Sequence, residues 1–418
     1  MVNDMYVYDK MRDSKLPWLK EIPTHWRITR MKEILQNVSE KNHPDATVLS
    51  LYREHGVLPK DSRDDNHNVT SLDTASYKFV RVGELVINKM KAWQGSLGVS
   101  DYEGIVSPAY YVCKFKSNDI NKKYFHYLVR CKLYAQEFER LSTGMRVGQW
   151  DLSIDDFMAT QIIIPPVSEQ SAIVAYLDDQ ISRIDSIIAE AKTSIEEYKQ
   201  WKASIIFEAV TKGLAPDVEM RDSEIAWIGS IPAHWHKSRI KNEFDNLDYM
   251  REPVSAEKRE NKLGLYDYYG ASGVIDKIDD YNIDDEVLLI GEDGANLKMR
   301  NLPLIYKAKG KIWVNNHAHI LRVSAKNNYN FMYYLLEAGD YNDYITGTAQ
   351  PKLSQSNLMS YPICIPPSEE QEKIGNFLDE KCSIIDSIIK EKESLIGDLE
   401  QYKRSLIYEV VTGKQKVV

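Results

Sequence analysis

Residues 165–195 read PPVSEQSAIVAYLDDQISRIDSIIAEAKTSI, and residues 366–396 read PPSEEQEKIGNFLDEKCSIIDSIIKEKESLI. The proline pair, the Glu-Gln that follows it and the IDSII core (Ile184–Ile188, Ile385–Ile389) all recur at one shift of 201 residues. A proline pair followed by Ser and Glu is a helix start, because the hydroxyl can cap backbone N–H groups that have no partner in the first turn. Beyond it, Leu177, Ile181, Ile184, Ile188, Ala191, Ile195, Tyr198, Lys202, Ile205 and Ala209 alternate steps of four and three, the spacing of a left-handed coiled-coil seam. The second copy gives Leu378, Cys382, Ile385, Ile389, Lys392, Ile396, Leu399, Lys403, Leu406 and Val410, with Lys403 at the position of Lys202. Each stripe alone would leave a long apolar face in water, and a whole domain between them lets the chain turn round. An antiparallel intramolecular pair is therefore expected. Its rival is two amphipathic helices, each packed on its own domain.

Outward from the helices the duplication continues. WLKEIPTHW (Trp18–Trp26) returns as WIGSIPAHW (Trp227–Trp235), and each helical segment closes on a Val-Thr pair, Val210-Thr211 and Val411-Thr412. The boundaries read as 1–165 for a first variable domain with its N-terminal segment, 166–213 for a first helix, 214–366 for a second variable domain and 367–418 for a second helix. The 418 residues, 43% of them apolar, are too many for one core and too apolar for disorder. Cys113, Cys131, Cys364 and Cys382 form no CxxC pair and read as reduced, structural residues. With no span of roughly 20 apolar residues and no apolar leader in MVNDMYVYDK, a cytoplasmic chain is expected.

The net charge is -9, and residues 168–211 and 368–412 carry all of it, with 4 basic against 8 acidic and 6 against 11. The variable domains are neutral on balance, so any grip on phosphate rests on local patches and on a basic partner. The chain has no GxxxxGK[ST] phosphate loop; Ile164 and Ile365, not Asn or Asp, precede the proline pairs; and no PD…(D/E)xK pattern appears. Nucleotide-driven, base-methylating and metal-nuclease chemistry are thereby unsupported. His317 and His319 sit two apart on an expected strand and could ligate a metal, but no third ligand is evident, so a packed or base-contacting role is preferred.

Candidate DNA contacts lie on loops rich in Lys, Arg, Gln, Asn and aromatics, the groups that reach base edges, phosphates and base faces. In the first variable domain these are Lys89, Lys91, Trp93 and Gln94 in NKMKAWQG, and Arg146, Gln149 and Trp150 in STGMRVGQWDLS. In the second they are Tyr269 and Ser272 in YYGASG, Asn296, Lys298 and Arg300 in GEDGANLKMR, Asn315 and Asn316 in VNNHAHI, and Gln350 and Lys352 in TGTAQPKLS. Glu292 and Asp293 could accept from a cytosine amine or merely order their turn. Each loop has a bland alternative, a solvated turn with no ligand.

Taken together, the duplicated W…IP.HW openings, the IPP borders ending in EQ, the IDSII helices and the YGASG, GEDGAN and WVNNHAHI series resemble the specificity subunit of type I restriction-modification systems, over nearly the whole chain. The resemblance implies an α+β fold with a pseudo-twofold internal repeat: two α/β target-recognition domains separated by two long helices in an antiparallel coiled coil. It implies double-stranded DNA as ligand, read as two half-sites with an unread spacer. It also implies no catalysis on this chain, with two modification subunits using S-adenosylmethionine and two restriction subunits using ATP and Mg as partners. Two rivals stay open on the residues alone. A self-sufficient DNA-modifying enzyme would act without partners, and a coiled-coil scaffold with protein-binding domains would show no sequence-selective retention of duplex DNA.

Overall fold

The computed structural model describes residues 7–53, 55–62, 74–144, 150–260 and 262–417. Helices span Val167–Lys212 and Ser368–Val411, unbroken over 46 and 44 residues. The chain divides within both: one compact unit is Met1–Ala191 with Ser394–Val418, the other Lys192–Glu393.

Each unit contains half of each long helix, and within each unit the two halves run antiparallel. In the first, Tyr176 meets Gln415 and Asp185 meets Lys403, so one sequence number rises as the other falls. In the second, Lys202 meets Asp386, while Gly213 lies against Glu370. Lys202 and Lys403, polar exceptions in an apolar stripe, thus each reach the aspartate of the other helix's IDSII, while Lys392, the third seam lysine, lies over the Tyr198 ring. Every seam position is buried or half-buried: Leu177, Ile184, Ile188, Ile195, Leu378, Ile385 and Leu406 fully, and Ile181, Tyr198, Ile205, Ile389, Ile396 and Leu399 in part. Near its end the first helix widens its stripe, adding Ile206 and Val210 to the core of the second domain.

The variable domains begin and end alike. Arg27–Arg30 pairs antiparallel with Gln161–Ile164, and His236–Arg239 with Pro362–Ile365, so both ends of each domain meet at the helix start. Between them the first domain builds a four-stranded sheet in the order Leu35–Val38, Tyr110–Phe115, Leu85–Asn88, Leu97–Val99. The second builds six strands, ordered Phe244–Asn246, Ala318–Val323, Ile283–Gly291, Ile305–Val314, Tyr266–Gly270, Gly273–Ile278.

The repeated motif residues make the joints. Gln170 accepts from Asn121 N–H and donates to the Pro165 carbonyl; Gln371 accepts from Asn328 N–H and donates to that of Pro366. Asn121 and Asn328 are themselves side-chain caps of the helices Lys122–Arg130 and Tyr329–Ala338. The imidazoles of His25 and His234 each lie 2.8 Å from the helix-start carboxylates Glu169 and Glu370. At the far ends, Thr211 and Thr412 donate back to the carbonyls four residues earlier, and Gly213 and Gly413 take the left-handed conformation that ends a helix. A Cβ at Gly413 would come within 2.5 Å of Pro23, so that helix end is seated on the first IP.HW motif. The Val411 carbonyl accepts from Tyr124 Oη, and Tyr8 donates to Glu169. The N-terminal segment and the C-terminal Val-Thr-Gly therefore both help to close the first unit.

Candidate nucleic-acid interface

In the first domain, two stretches far apart in sequence form one surface. Lys89 pairs with Asp151, whose carboxylate holds the ammonium above its ordinary pKa despite some burial. Leu152 N–H donates to the Lys89 carbonyl, and Trp93 packs on Trp150 with ring centroids 5.4 Å apart. Trp93 is fixed further by its Nε1 donating to the Met90 carbonyl. Lys89 is therefore an anchor of the loop, Lys91 points into solvent, and Gln94 is half-buried. Arg146 and Gln149 lie outside the described residues.

In the second domain, three loops converge on a buried polar network. His319, fully buried, has both ring nitrogens engaged, Nδ1 at 2.6 Å from Asp248 and Nε2 at 2.8 Å from the Leu353 carbonyl. Arg251 reaches Glu292, Asp248 and the Asn316 and Ala318 carbonyls. Glu292 also takes Lys352 Nζ at 3.0 Å, its N–H donates to the His317 carbonyl, and its carbonyl accepts from Leu353 N–H. His317 lies 2.7 Å from Asp293. Burial pushes the Asp248 carboxyl up, but the His319, Ile320 N–H and Arg251 interactions outweigh it and hold the pKa below its ordinary value. Burial likewise raises Glu292, and Lys352 and Arg251 more than compensate. The two histidines that sequence spacing offered as metal ligands are thus partnered by carboxylates and a carbonyl, and no group of three metal-ligating side chains occurs among the described residues.

The other candidates divide by what already holds them. Asn296 spends its amide on the Leu302 and Pro303 carbonyls and on Leu302 N–H, and Arg300 is pinned to the Glu337 and Gly339 carbonyls, so both brace their loop. Asn315 is buried and orders the turn by accepting from His317 N–H; Tyr269 is buried in its strand. Ser272, Lys298, Asn316, Gln350 and Lys352 are exposed. Reading the sequence missed Asp248 and Arg251. Their partners are 41 to 72 residues away, and LDYMR resembles no motif.

The profile of the type I restriction-modification DNA specificity domain matches this chain twice, over residues 23–197 and 232–396. A Methanocaldococcus jannaschii protein described as the MjaX type I restriction enzyme specificity subunit is 23% identical over 98% of both chains. A Haemophilus influenzae protein described as the S.HindORF215P specificity subunit is 33% identical, over 32% of this chain and 34% of its own length, about a third of each. A chain solved in work on complex assembly and conformational transition of the type I restriction-modification system has the same fold, with a TM-score of 0.70 at 14% identity, covering 94% of this chain and 99% of that one. The chain belongs to the type I restriction-modification DNA specificity family. Its role is that of a DNA specificity subunit, and no helix among the described residues is long and apolar enough to cross a membrane.

Proposed function

We propose that this chain reads a bipartite DNA target, one half-site per recognition domain, with the paired helices setting the length of the unread spacer. The observation that carries the reading is the duplication: two dissimilar domains, each entered and left through a strand pair at the start of a long helix, with lysine–aspartate contacts between the helices that repeat residue for residue. Two modest readers on one chain gain from effective concentration, because engagement of one half-site presents the other domain to its own segment of duplex. The acidic helices suit basic partner surfaces, and a pseudo-twofold chain offers two similar ones. On this reading, two modification subunits bring S-adenosylmethionine and methylate adenine, two restriction subunits bring ATP and Mg for cleavage, and the assembly works in the cytoplasm. This chain supplies recognition and spacing.

The test is to map methylated adenines in genomic DNA exposed to the chain with its modification partner, then repeat with residues 27–164 exchanged for those of a relative. One half-site changing while the other and the spacer persist is the expected result. Both halves changing would refute separate reading.

A further inference from the structure

The second domain's polar network has a product on the surface that its own bonds do not explain. The one-turn helix Asp248–Met250 is fastened on both sides: Leu247 is buried and its N–H donates to the Ile320 carbonyl, and Asp248 is buried against His319 and accepts from Ile320 N–H. Arg251, one residue beyond, is fixed to Glu292 and to the carbonyls of Asn316 and Ala318. Between these held neighbours stands Tyr249, 80% exposed. The turn that carries it is bonded to the 316–320 segment, which also holds the exposed Asn316 and the His317–Asp293 pair, and Arg251 shares the Glu292 carboxylate with Lys352. The carboxylates that would repel phosphate here are already matched, Glu292 by Arg251 and Lys352, and Asp248 by His319.

We infer that Tyr249 is a DNA-contacting, specificity-determining residue of the second domain, its ring laid against a base or sugar of the half-site. The inference rests on the DNA reading proposed above. A phenol ring has only two side-chain torsions to fix, and a turn fastened at both ends adds little further entropy, so the contact is preorganised. Stacking on aromatic side chains is tolerant of base identity in itself. Selectivity arises because the ring fixes where Asn316, His317 and Lys352 meet base edges.

The experiment uses the full chain in complex with its modification subunit and a duplex carrying the site that methylation mapping identifies, with a scrambled duplex as reference. Tyr249→Ala and Tyr249→Gln should each weaken binding to the mapped site by roughly 5- to 150-fold. Tyr249→Phe should stay within about threefold of wild type, since the ring is kept. The slope of log affinity against log salt should not change, because no phosphate contact is lost. Ala and Gln variants binding like wild type would overturn the assignment, as would a variant that fails to assemble with the modification subunit, which would place Tyr249 at a protein interface. If the wild-type complex itself does not distinguish the mapped from the scrambled duplex, the DNA reading falls, and this inference with it.

Discussion

Inserting four residues after Ala191 and four after Glu393, each insert with one apolar residue on the seam, lengthens both long helices where the two compact units divide. The contacts Asp185–Lys403 and Lys202–Asp386 each stay inside one unit and are left intact. Four helical residues add about 6 Å at 1.5 Å per residue. One base pair of duplex advances about 3.4 Å, so the accepted spacer should grow by roughly two base pairs. The rotations do not match: four residues turn a helix by about 40° beyond a full turn, whereas two base pairs turn DNA by roughly 70°. The remaining difference of about 30° must come from DNA twist, and affinity should fall as the spacer shifts. Mapping methylated adenines across a genome reads the spacer directly. An unchanged spacer with both inserts in place would refute the idea that helix length sets it. The same insert in one helix alone leaves a turn without a partner, and altered or lost methylation is expected.

Ile385→Ala, at a seam position only 1% exposed, should cost about 2 to 5 kcal/mol in chemical denaturation, whereas Lys202→Ala removes a solvent-screened pair and should cost under about 1 kcal/mol. Equal losses would mean the seam is not packed as described. Asp248 and Glu292 titrate below their ordinary values in the folded chain, so their stabilisation is present above the unfolded pKa of about 4 and is lost as pH falls through the folded values. Thermal melts of Asp248→Asn should therefore show a weaker loss of stability on acidification than wild type, and an identical pH profile would dismiss the network as its source. Lys91→Ala or Gln94→Ala should weaken binding of the mapped duplex by about 1 to 3 kcal/mol if they reach base edges, and unchanged affinity would return that loop to a solvated turn.

The helices were legible because a 3.5-residue repeat needs no knowledge of the partner: each seam residue marks its own face. The role of Lys202 and Lys403 was not, because pairing with Asp386 and Asp185 depends on a register that appears only once the helices run antiparallel. Loop composition drew attention to residues 291–300, 314–320 and 346–354, but not to their convergence. That convergence is made by Glu292, Arg251 and His319 bonding across tens of residues. Composition also misjudges availability. Asn296 and Arg300 read as free donors, yet the backbone carbonyls of their own fold occupy them.

One division of labour follows from which atoms the repeated residues touch. Gln170 and Gln371 bond chiefly to main-chain N–H and C=O groups, Gln371 also donating to the Asn327 side chain; Thr211 and Thr412 bond to main-chain carbonyls, and the strands that close each domain pair through backbone alone. A joint made from main-chain groups does not depend on which side chains the attached domain carries. Four strands can therefore follow the first joint and six the second without disturbing the helix pair. Within the second domain the network around His319 applies the same logic on a smaller scale, holding loop backbones at Leu353, Ala318 and Asn316 while the side chains at positions 249, 316 and 352 face outward. Such a frame can accept substitution at the outward positions without remaking the core beneath them.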